Sequence, residues 1–191
     1  MTTFLETDRM ILREFTAADE DLVVELDSDP EVMFFINGGR PTTRAEVRDD
    51  VLPYMVASYD RPAGFGYWAA EARAGGRFLG WFQFRPGRHR PPSDGVEIGY
   101  RLRRAEWGRG YATEGVRALI DKGFAELGLE RVYAEAMAAH PASRRVMEKA
   151  GLRYVRTFHQ DWPAKIPGDE LGDVEYAITR AEWAADRRST R

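Results

Sequence analysis

The sequence predicts a single α/β domain built on a mixed, mostly antiparallel sheet with helices packed against it. Three observations lead there. At 191 residues the chain is long enough to bury one full core without disulfides or metals. Its apolar period is helical through much of the first third and changes to strand-like runs from Phe65. Beyond that point strands follow one another as hairpins before helix and strand alternate, the order expected of a sheet with several antiparallel neighbours.

Arg9–Phe15, RMILREF, alternates Met10 and Leu12 against Ile11 and Arg13 and opens the domain as a strand. Thr16 then caps a helix with an acidic first turn and a stripe of Leu22, Val23 and Leu26, and Asp29-Pro30 stops it. Thr42–Tyr59 reads as a second helix, kinked or broken at Pro53. FGYWAAEA and GRFLGWFQFRP are strands joined by RAGG, a hairpin signal. Arg85–Gly95 is a loop of proline, arginine and glycine. VEIGYRL is a further strand, with Val96, Ile98, Tyr100 and Leu102 on one face and Glu97, Gly99 and Arg101 on the other. In the long helix that follows, Ala112, Val116, Leu119, Ile120, Phe124 and Leu127 share a face, and Gly128 ends it. RVYAEAM is a strand. PASRRVMEKAG is a short helix with Pro141 in its first turn and Gly151 just past its end. LRYVRTF and DVEYAITR close the domain as strands. The domain is expected to span residues 1–182, with 183–191 a loosely held tail.

Composition removes several classes of function. The chain is 43% hydrophobic and 31% charged, and it contains no cysteine, so thiol chemistry, disulfides and cysteine-ligated zinc are excluded and no metal site is expected. No apolar run approaches the ~20 residues of a bilayer span, and the opening MTTFLETDRMILREF has acids where a signal peptide needs bases. No membrane partner is therefore expected, and the cytoplasm is the expected location. A net charge of −3 without a lysine-rich tract argues against a nucleic-acid partner. The charge is unevenly placed: seven acids and no bases run from Asp19 to Glu31, while Arg101, Arg103, Arg104 and Arg109 surround two glycines. Each group reads either as a solvated face or, more sharply, as a cation-attracting lip and an anion-binding rim.

The glycines stand in LRRAEWGRGYATEGVRALI. A phosphate loop of the G-x-x-x-x-G-K-[ST] kind is absent, because Gly110 runs to Gly115 and then Val116-Arg117. A dinucleotide fingerprint also fails, since Thr113 stands where its third glycine belongs. What remains is a strand, an arginine-flanked loop and a helix whose first turn, Gly110 to Thr113, can point N–H groups at an anion. Gly108 and Gly110 let backbone approach that anion closely, or simply supply a turn that needs positive φ.

WGRGYATEG and, about thirty residues on, PASRRVMEKAGL resemble the pyrophosphate loop and the second cofactor-contacting helix of the GNAT superfamily of N-acetyltransferases. More narrowly they resemble the branch that holds the Rim-type ribosomal-protein N-terminal acetyltransferases. The likeness extends from TDRMILREFTAADEDL to DVEYAITRAEW. It implies an acetyl-CoA-dependent acyltransferase with a GNAT-like sheet splayed between the fourth and fifth of the strands above. The amides of Gly108, Arg109, Gly110, Tyr111 and Ala112 would take the pyrophosphate, with Arg103 and Thr113 beside them. The backbone of Tyr100 and Leu102 would pair with pantetheine like an added strand, and Ser143 would face the thiol. Two departures stand out: His140 replaces an asparagine that contacts pantetheine, and Met147 replaces a tyrosine general acid, which the Rim-type branch also commonly lacks.

Acetyl transfer to an amine needs the amine neutral, an oxyanion stabilised and a thiolate tolerated. An α-amine titrates at about 7.7–8.0 and a lysine at about 10.4, so a base helps more for lysine. Glu97 is the candidate base, set against a cross-strand ion pair with an arginine such as Arg101. A strand N–H would meet the oxyanion. Ser143 would hydrogen-bond the thiolate, or is an ordinary first-turn residue. His140 reads as a helix cap in preference to a catalytic group, and Tyr111 as cleft or core. Glu114 reads as structural, complementing the helix dipole, and Trp81, Phe82 and Phe84 as core. The expected function is transfer of acetyl to a primary amine, a protein N-terminus or a small cationic amine. A non-catalytic acyl-CoA sensor and a longer-chain acyltransferase are the alternatives. A homodimer is compatible with the sequence and not required by it.

Overall fold

The computed structural model describes residues 2–60, 64–87, 91, 94–160 and 165–189. The loop expected at Arg85–Gly95 therefore falls partly outside the described residues, as does part of the loop between the last two strands. Eight strands form one sheet in the order β1-β2-β3-β4-β5-β6-β8-β7. They are β1 (Thr3–Glu6), β2 (Met10–Glu14), β3 (Gly66–Ala72), β4 (Phe78–Pro86), β5 (Val96–Leu102), β6 (Arg131–Met137), β7 (Arg153–Phe158) and β8 (Asp173–Thr179). Every neighbouring pair is antiparallel except β5–β6, which is parallel. The expected mixed, mostly antiparallel sheet is thus the sheet observed.

Two cores lie on its two faces. Met10, Leu12, Phe82, Phe84, Ile98 and Leu102 face α5 (Tyr111–Ala125) and α6 (Pro141–Lys149), whose Val116, Leu119, Phe124 and Met147 complete that side. Tyr67, Ala69, Phe78 and Trp81 face the N-terminal helices, which supply Val23, Leu26, Val32, Val47, Leu52 and Met55. Those helices are α1 (Glu20–Asp27), α2 (Pro30–Asn37), α3 (Arg44–Glu46) and α4 (Leu52–Val56).

Three local readings are corrected here. Pro30 does stop α1, but it also starts α2 as its first residue, with the Asp29 carboxylate accepting the Glu31 N–H at 2.9 Å. Proline is at home there because the first-turn N–H it lacks has no partner in a helix. At Pro53 the helical path does not break. A π turn, Val47–Val51, widens the backbone just before it, the usual accommodation of a ring that removes one hydrogen bond. The tail expected to be loose after Glu182 is α7 (Arg180–Ser189). The Trp183 indole N–H donates to Asp121 at 2.6 Å, its ring lies 5.5 Å from that of Phe124, and Arg153 ties Glu182 and Asp186 to β7. β1, four residues long, was not expected at all.

α5 sits close to the sheet because Gly115 and Gly123 face it. A Cβ on Gly115 would stand 2.3 Å from Cζ of Phe82, which is itself fully buried. Gly115→Ala is expected to cost about 1–3 kcal/mol despite alanine's better helix propensity, because overpacking outweighs that gain. Urea unfolding measures it, and an unchanged midpoint would mean the helix lifts off the sheet freely.

Candidate functional site

β5 and β6 pair only at Val96↔Val132 and Glu97↔Tyr133. Beyond Glu97 they part, β6 staying with β8 and β5 with β4. The Arg103 N–H bonds the Leu79 carbonyl of β4 at 2.9 Å, so strand alternation turns the backbone groups of Tyr100 and Leu102 the other way, into the gap. The Trp107 indole takes the Leu102 carbonyl at 2.9 Å. A cavity of about 1250 Å³ fills the gap and continues across to α2.

One end of the cavity is the loop between β5 and α5. Gly108 and Gly110 adopt φ of +71° and +84°, a region open to glycine and strained for other residues, and Gly110 caps α5. A Cβ at Gly108 would meet nothing within 4 Å, so this stretch is an open cradle of backbone at a helix N-terminus. Thr113, Tyr111 and Ala112 line the cavity beside it. Arg9 holds the cradle from below. Its guanidinium bonds the Glu114 carboxylate at 2.6 Å and the Arg109 carbonyl at 2.9 Å, and lies 4.6 Å from the Tyr111 ring centre. Burial alone would raise the Glu114 carboxyl, but hydrogen bonds from Thr7 and Arg9 outweigh it and hold it below the usual carboxylate range. The sequence reading of Glu114 as structural fits this, although its partner is Arg9 rather than the dipole alone.

The arginine rim and the acidic lip meet each other. Arg101 pairs with Asp27 at 2.7 Å, Arg104 with Glu31 at 2.7 Å, and Arg103 with Glu25. Arg44 takes Glu20 and Asp21, each at 2.7 Å, Arg13 takes Asp19 at 2.8 Å, and Asp29 is the α2 cap. Arg109 lies 3.6 Å from Glu106. Asp19 and Asp27 are buried in pairs, Asp21, Glu25 and Glu31 stay exposed while they engage arginines, and Asp29 caps α2. The acids therefore form a largely paired face and not a free cation-attracting lip, which corrects the sharper sequence reading. Glu97 is not paired with Arg101 either. Strand register sets it opposite Arg85, whose guanidinium is 3.7 Å away.

The remaining site residues meet where the strands part. Glu97 lines the cavity on the face of β5 turned to the N-terminal helices. On the other face, the Tyr100 hydroxyl lies 2.9 Å from Ser143 Oγ on the first turn of α6. His140 occupies the α6 cap position without a side-chain cap bond. Its ring stacks on Phe35 of α2 at 3.9 Å, roofing the cavity, and burial pushes its pKa down to about 4. Phe34 and Ile36 of α2 also line the cavity, Ile36 being 52% exposed. The sequence reading missed this wall together with α2, although FFIN following a proline N-terminus carries the signal. Among the described residues no group of acids or histidines could hold a metal ion, and no helix is long and apolar enough to cross a membrane.

Comparison with known proteins follows the same lines. A family model described as an acetyltransferase (GNAT) domain matches residues 9–153. FsC-acetyl coenzyme A-N(2)-transacetylase of Aspergillus fumigatus is 38% identical over 184 residues, covering 94% of this chain and 77% of that protein. A GNAT-family acetyltransferase structure from Bacillus anthracis superposes with a TM-score of 0.77 at 27% identity, over 93% of this chain and 99% of the other. A Vibrio cholerae spermidine N-acetyltransferase bound to CoA and spermine shares the fold, with a TM-score of 0.73 at 12% identity over 93% and 99% of the two chains.

Two predictions follow from this geometry. Asp27 and Arg101 have side chains only 2% and 13% exposed. Asp27→Asn leaves the arginine buried without its charge partner and is expected to cost roughly 3–5 kcal/mol in urea unfolding, most of it recovered by Asp27→Leu with Arg101→Met. His140 titrates near 4 folded and near its ordinary 6.5 unfolded, so the unfolded chain binds more protons between those values. Its contribution to stability is therefore complete above pH 6.5 and is lost as pH falls toward 4. His140→Gln flattens that part of the stability profile, and a ring signal titrating near 6.5 in the folded protein would refute the assignment.

Proposed function

The chain belongs to the GNAT acetyltransferase family, and on that premise we propose that it transfers acetyl from acetyl-CoA to a primary amine on a small molecule. The observation that carries the reading is the open backbone edge of β5 leading to a glycine cradle at the start of α5. The cradle fits a pyrophosphate, since its backbone lies open at the start of α5, where a Cβ at Gly108 would meet nothing within 4 Å and one at Gly110 would meet the Arg9 guanidinium at 3.3 Å. Amides of Gly108, Arg109, Gly110, Tyr111 and Ala112 hold the pyrophosphate, with Thr113 in the same turn and Arg103 anchoring the loop to Glu25. Tyr100 and Leu102 pair through their backbone with pantetheine, and His140 closes the opposite wall. When bound, acetyl-CoA supplies the thioester.

The chain's own residues then divide the proton work across β5. Glu97 faces the acceptor side and collects the amine proton, directly or through water, with Arg85 fixing its orientation. Backbone N–H groups of β5 meet the developing oxyanion. Ser143, on the other side, donates a hydrogen bond to the departing sulfur. The acceptor enters over Phe34, Phe35 and Ile36, a wall suited to an amine with an apolar body. The fungal relative is named an acetyl coenzyme A-N(2)-transacetylase, which supports acetyl-CoA as donor and a nitrogen as acceptor here. The Rim-type likeness of WGRGYATEG and PASRRVMEKAGL is the one observation favouring a protein N-terminus, the second reading. The domain of residues 1–182 is proposed to extend through α7 and to work in the cytoplasm.

Calorimetry of acetyl-CoA with wild type and Gly110→Trp is the direct test. Wild type is expected to bind at a Kd on the order of 10 μM. The variant is expected to lose binding while circular dichroism shows it folded, at a strain cost of about 1–2 kcal/mol for a side chain at positive φ. A wild type that binds nothing reduces the cradle to a turn. An amine screen spanning small amines and peptide N-termini then separates the two acceptors. Glu97→Gln is expected to lower kcat about a hundredfold while leaving acetyl-CoA affinity unchanged. Because the acidic run is paired, acceptor KM should change by no more than about threefold between roughly 0.05 and 0.5 M salt. A steep rise would restore the cation-attracting lip.

A further inference from the structure

Ser143 is 9% exposed and lines the cavity where β5 leaves β6, with its hydroxyl within hydrogen-bond distance of Tyr100. The Tyr100 hydroxyl lies 2.9 Å from Ser143 Oγ and 3.2 Å from the Ser143 carbonyl. That carbonyl stands inside α6, where the N–H four residues on takes it. That carbonyl keeps a second lone pair, so both contacts accept the phenolic proton, and the shorter of them is the one to Oγ. A serine hydroxyl has one proton and two lone pairs. Once Tyr100 fills one lone pair, the serine proton must point elsewhere, and the cavity is the open direction.

We propose that Tyr100 is a positioning residue: by donating to Ser143 Oγ it turns the Ser143 O–H into the cleft, toward the sulfur that leaves. The proposal rests on the reading of Ser143 given above. In the step it serves, the amine nitrogen bonds to the carbonyl carbon and loses its proton toward Glu97. The C–S bond breaks, and its electron pair remains on a sulfur that accepts the Ser143 hydrogen bond. Tyr100 keeps its proton throughout. Burial pushes the phenol up to about 12, so it stays protonated across the working pH range.

The charged groups on the surrounding elements are engaged elsewhere. On α6, Arg144 bonds the Ala138 carbonyl at 3.3 Å, Arg145 faces Glu148 at 3.5 Å, and His140 is held neutral against Phe35. On α5, Arg117 reaches the Lys149 carbonyl at 3.1 Å. On β4, Arg85 faces Glu97 on the opposite side of the sheet, and on β6 Glu135 turns to that same side. Met147, one turn along α6, is fully buried and carries no donor.

The test is the titration of free CoA bound to the protein, followed by thiolate ultraviolet absorbance, which needs no turnover. Ser143→Ala and Tyr100→Phe are each expected to raise the bound thiol's pKa by about one unit relative to wild type, leaving about tenfold less thiolate at a pH below both values. The double variant is expected to match either single one, since the two hydroxyls act as one unit. CoA affinity is measured alongside by calorimetry at a pH where the thiol is protonated, so that a change in binding is told apart from a shift of the thiol. Ser143→Thr, which keeps a hydroxyl on the same carbon, is expected to titrate like wild type. If Ser143→Ala shifts the thiol and Tyr100→Phe does not, Tyr100 is only a packing residue and the proposal falls while Ser143 keeps its role. If CoA binds and neither variant moves the thiol, Ser143 is not its donor. A wild type that binds no CoA overturns the cofactor reading itself, and this inference with it.

Discussion

The structure is organised by one constraint: two parallel strands held together at one end and apart at the other. Val96 and Glu97 pair with β6, and the residues after them do not. Backbone donors and acceptors opened inside a sheet are costly unless something satisfies them. Every neighbouring element can be read as maintaining that opening. β8 lies antiparallel to β6 along its whole length from Arg131 to Met137, so β6 is held by its other edge where β5 leaves it. β4 does the same for β5 from Val96 to Leu102. α5 spans the gap as the crossover between the two, and α6 drops its first turn into the open end. An extended ligand that pairs with the β5 edge completes the sheet, which is why the gap reads as a binding site and not as a packing defect.

Charge does a different job from the one its distribution suggests. Seven acids on the first two helical segments and four arginines around the glycines look like two opposed fields. In the folded chain three acids of the first group pair with three arginines of the second, and those pairs tie α1 and α2 to β5 and the glycine loop. Exposed pairs of this kind contribute little stability individually. Their joint effect is positional: the loop is held from above by Arg103 and Arg104 and from below by Arg9. A cradle held on both sides keeps its N–H groups aimed before any anion arrives, which lowers the ordering cost of binding. Asp27–Arg101 is the exception in energy, because its charges are buried and each depends on the other.

Periodic stretches were the legible part of the fold. Met10 and Leu12, the stripe from Val116 to Phe124, and the alternation of Val96 to Leu102 all lie on the faces their spacing implies. Features lasting one turn or depending on distant partners were not legible. Thr3–Glu6 is too short to show a period. Pro30 carries two opposite signals, a stop for the helix before it and a start for the one after, and only tertiary packing shows that both apply. The partner of Glu97 depends on strand register, which sets Arg85 across from it at a separation of twelve residues in the chain. Asp27, Glu25 and Glu31 could not be matched to Arg101, Arg103 and Arg104 because those pairs join segments brought together only by the docking of α1 and α2 on β5. α7 was read as loose for a similar reason: its anchor, Asp121, sits on a helix 62 residues away from Trp183.

The period of β5 also explains how one short strand can serve both halves of a transfer reaction. Successive side chains point to opposite faces, so Glu97 and Arg101 look toward the N-terminal helices while Ile98, Tyr100 and Leu102 look toward α5 and α6. A group that takes a proton from an incoming amine belongs on the first face. A pair that presents a donor to a leaving sulfur belongs on the second. Gly99 lies between them on the acceptor face, directly over Gln83, where a Cβ would approach the glutamine side chain at 3.5 Å. Its lack of a side chain keeps the floor open midway between Glu97 and Arg101. A slip of one residue in the β4–β5 register would exchange the faces, bury Glu97 against α5 and expose Tyr100 to the acceptor side. The seven cross-strand pairs from Gly80↔Leu102 to Pro86↔Val96 hold the sheet together, and by fixing that register they also keep the two proton tasks on separate sides of the strand.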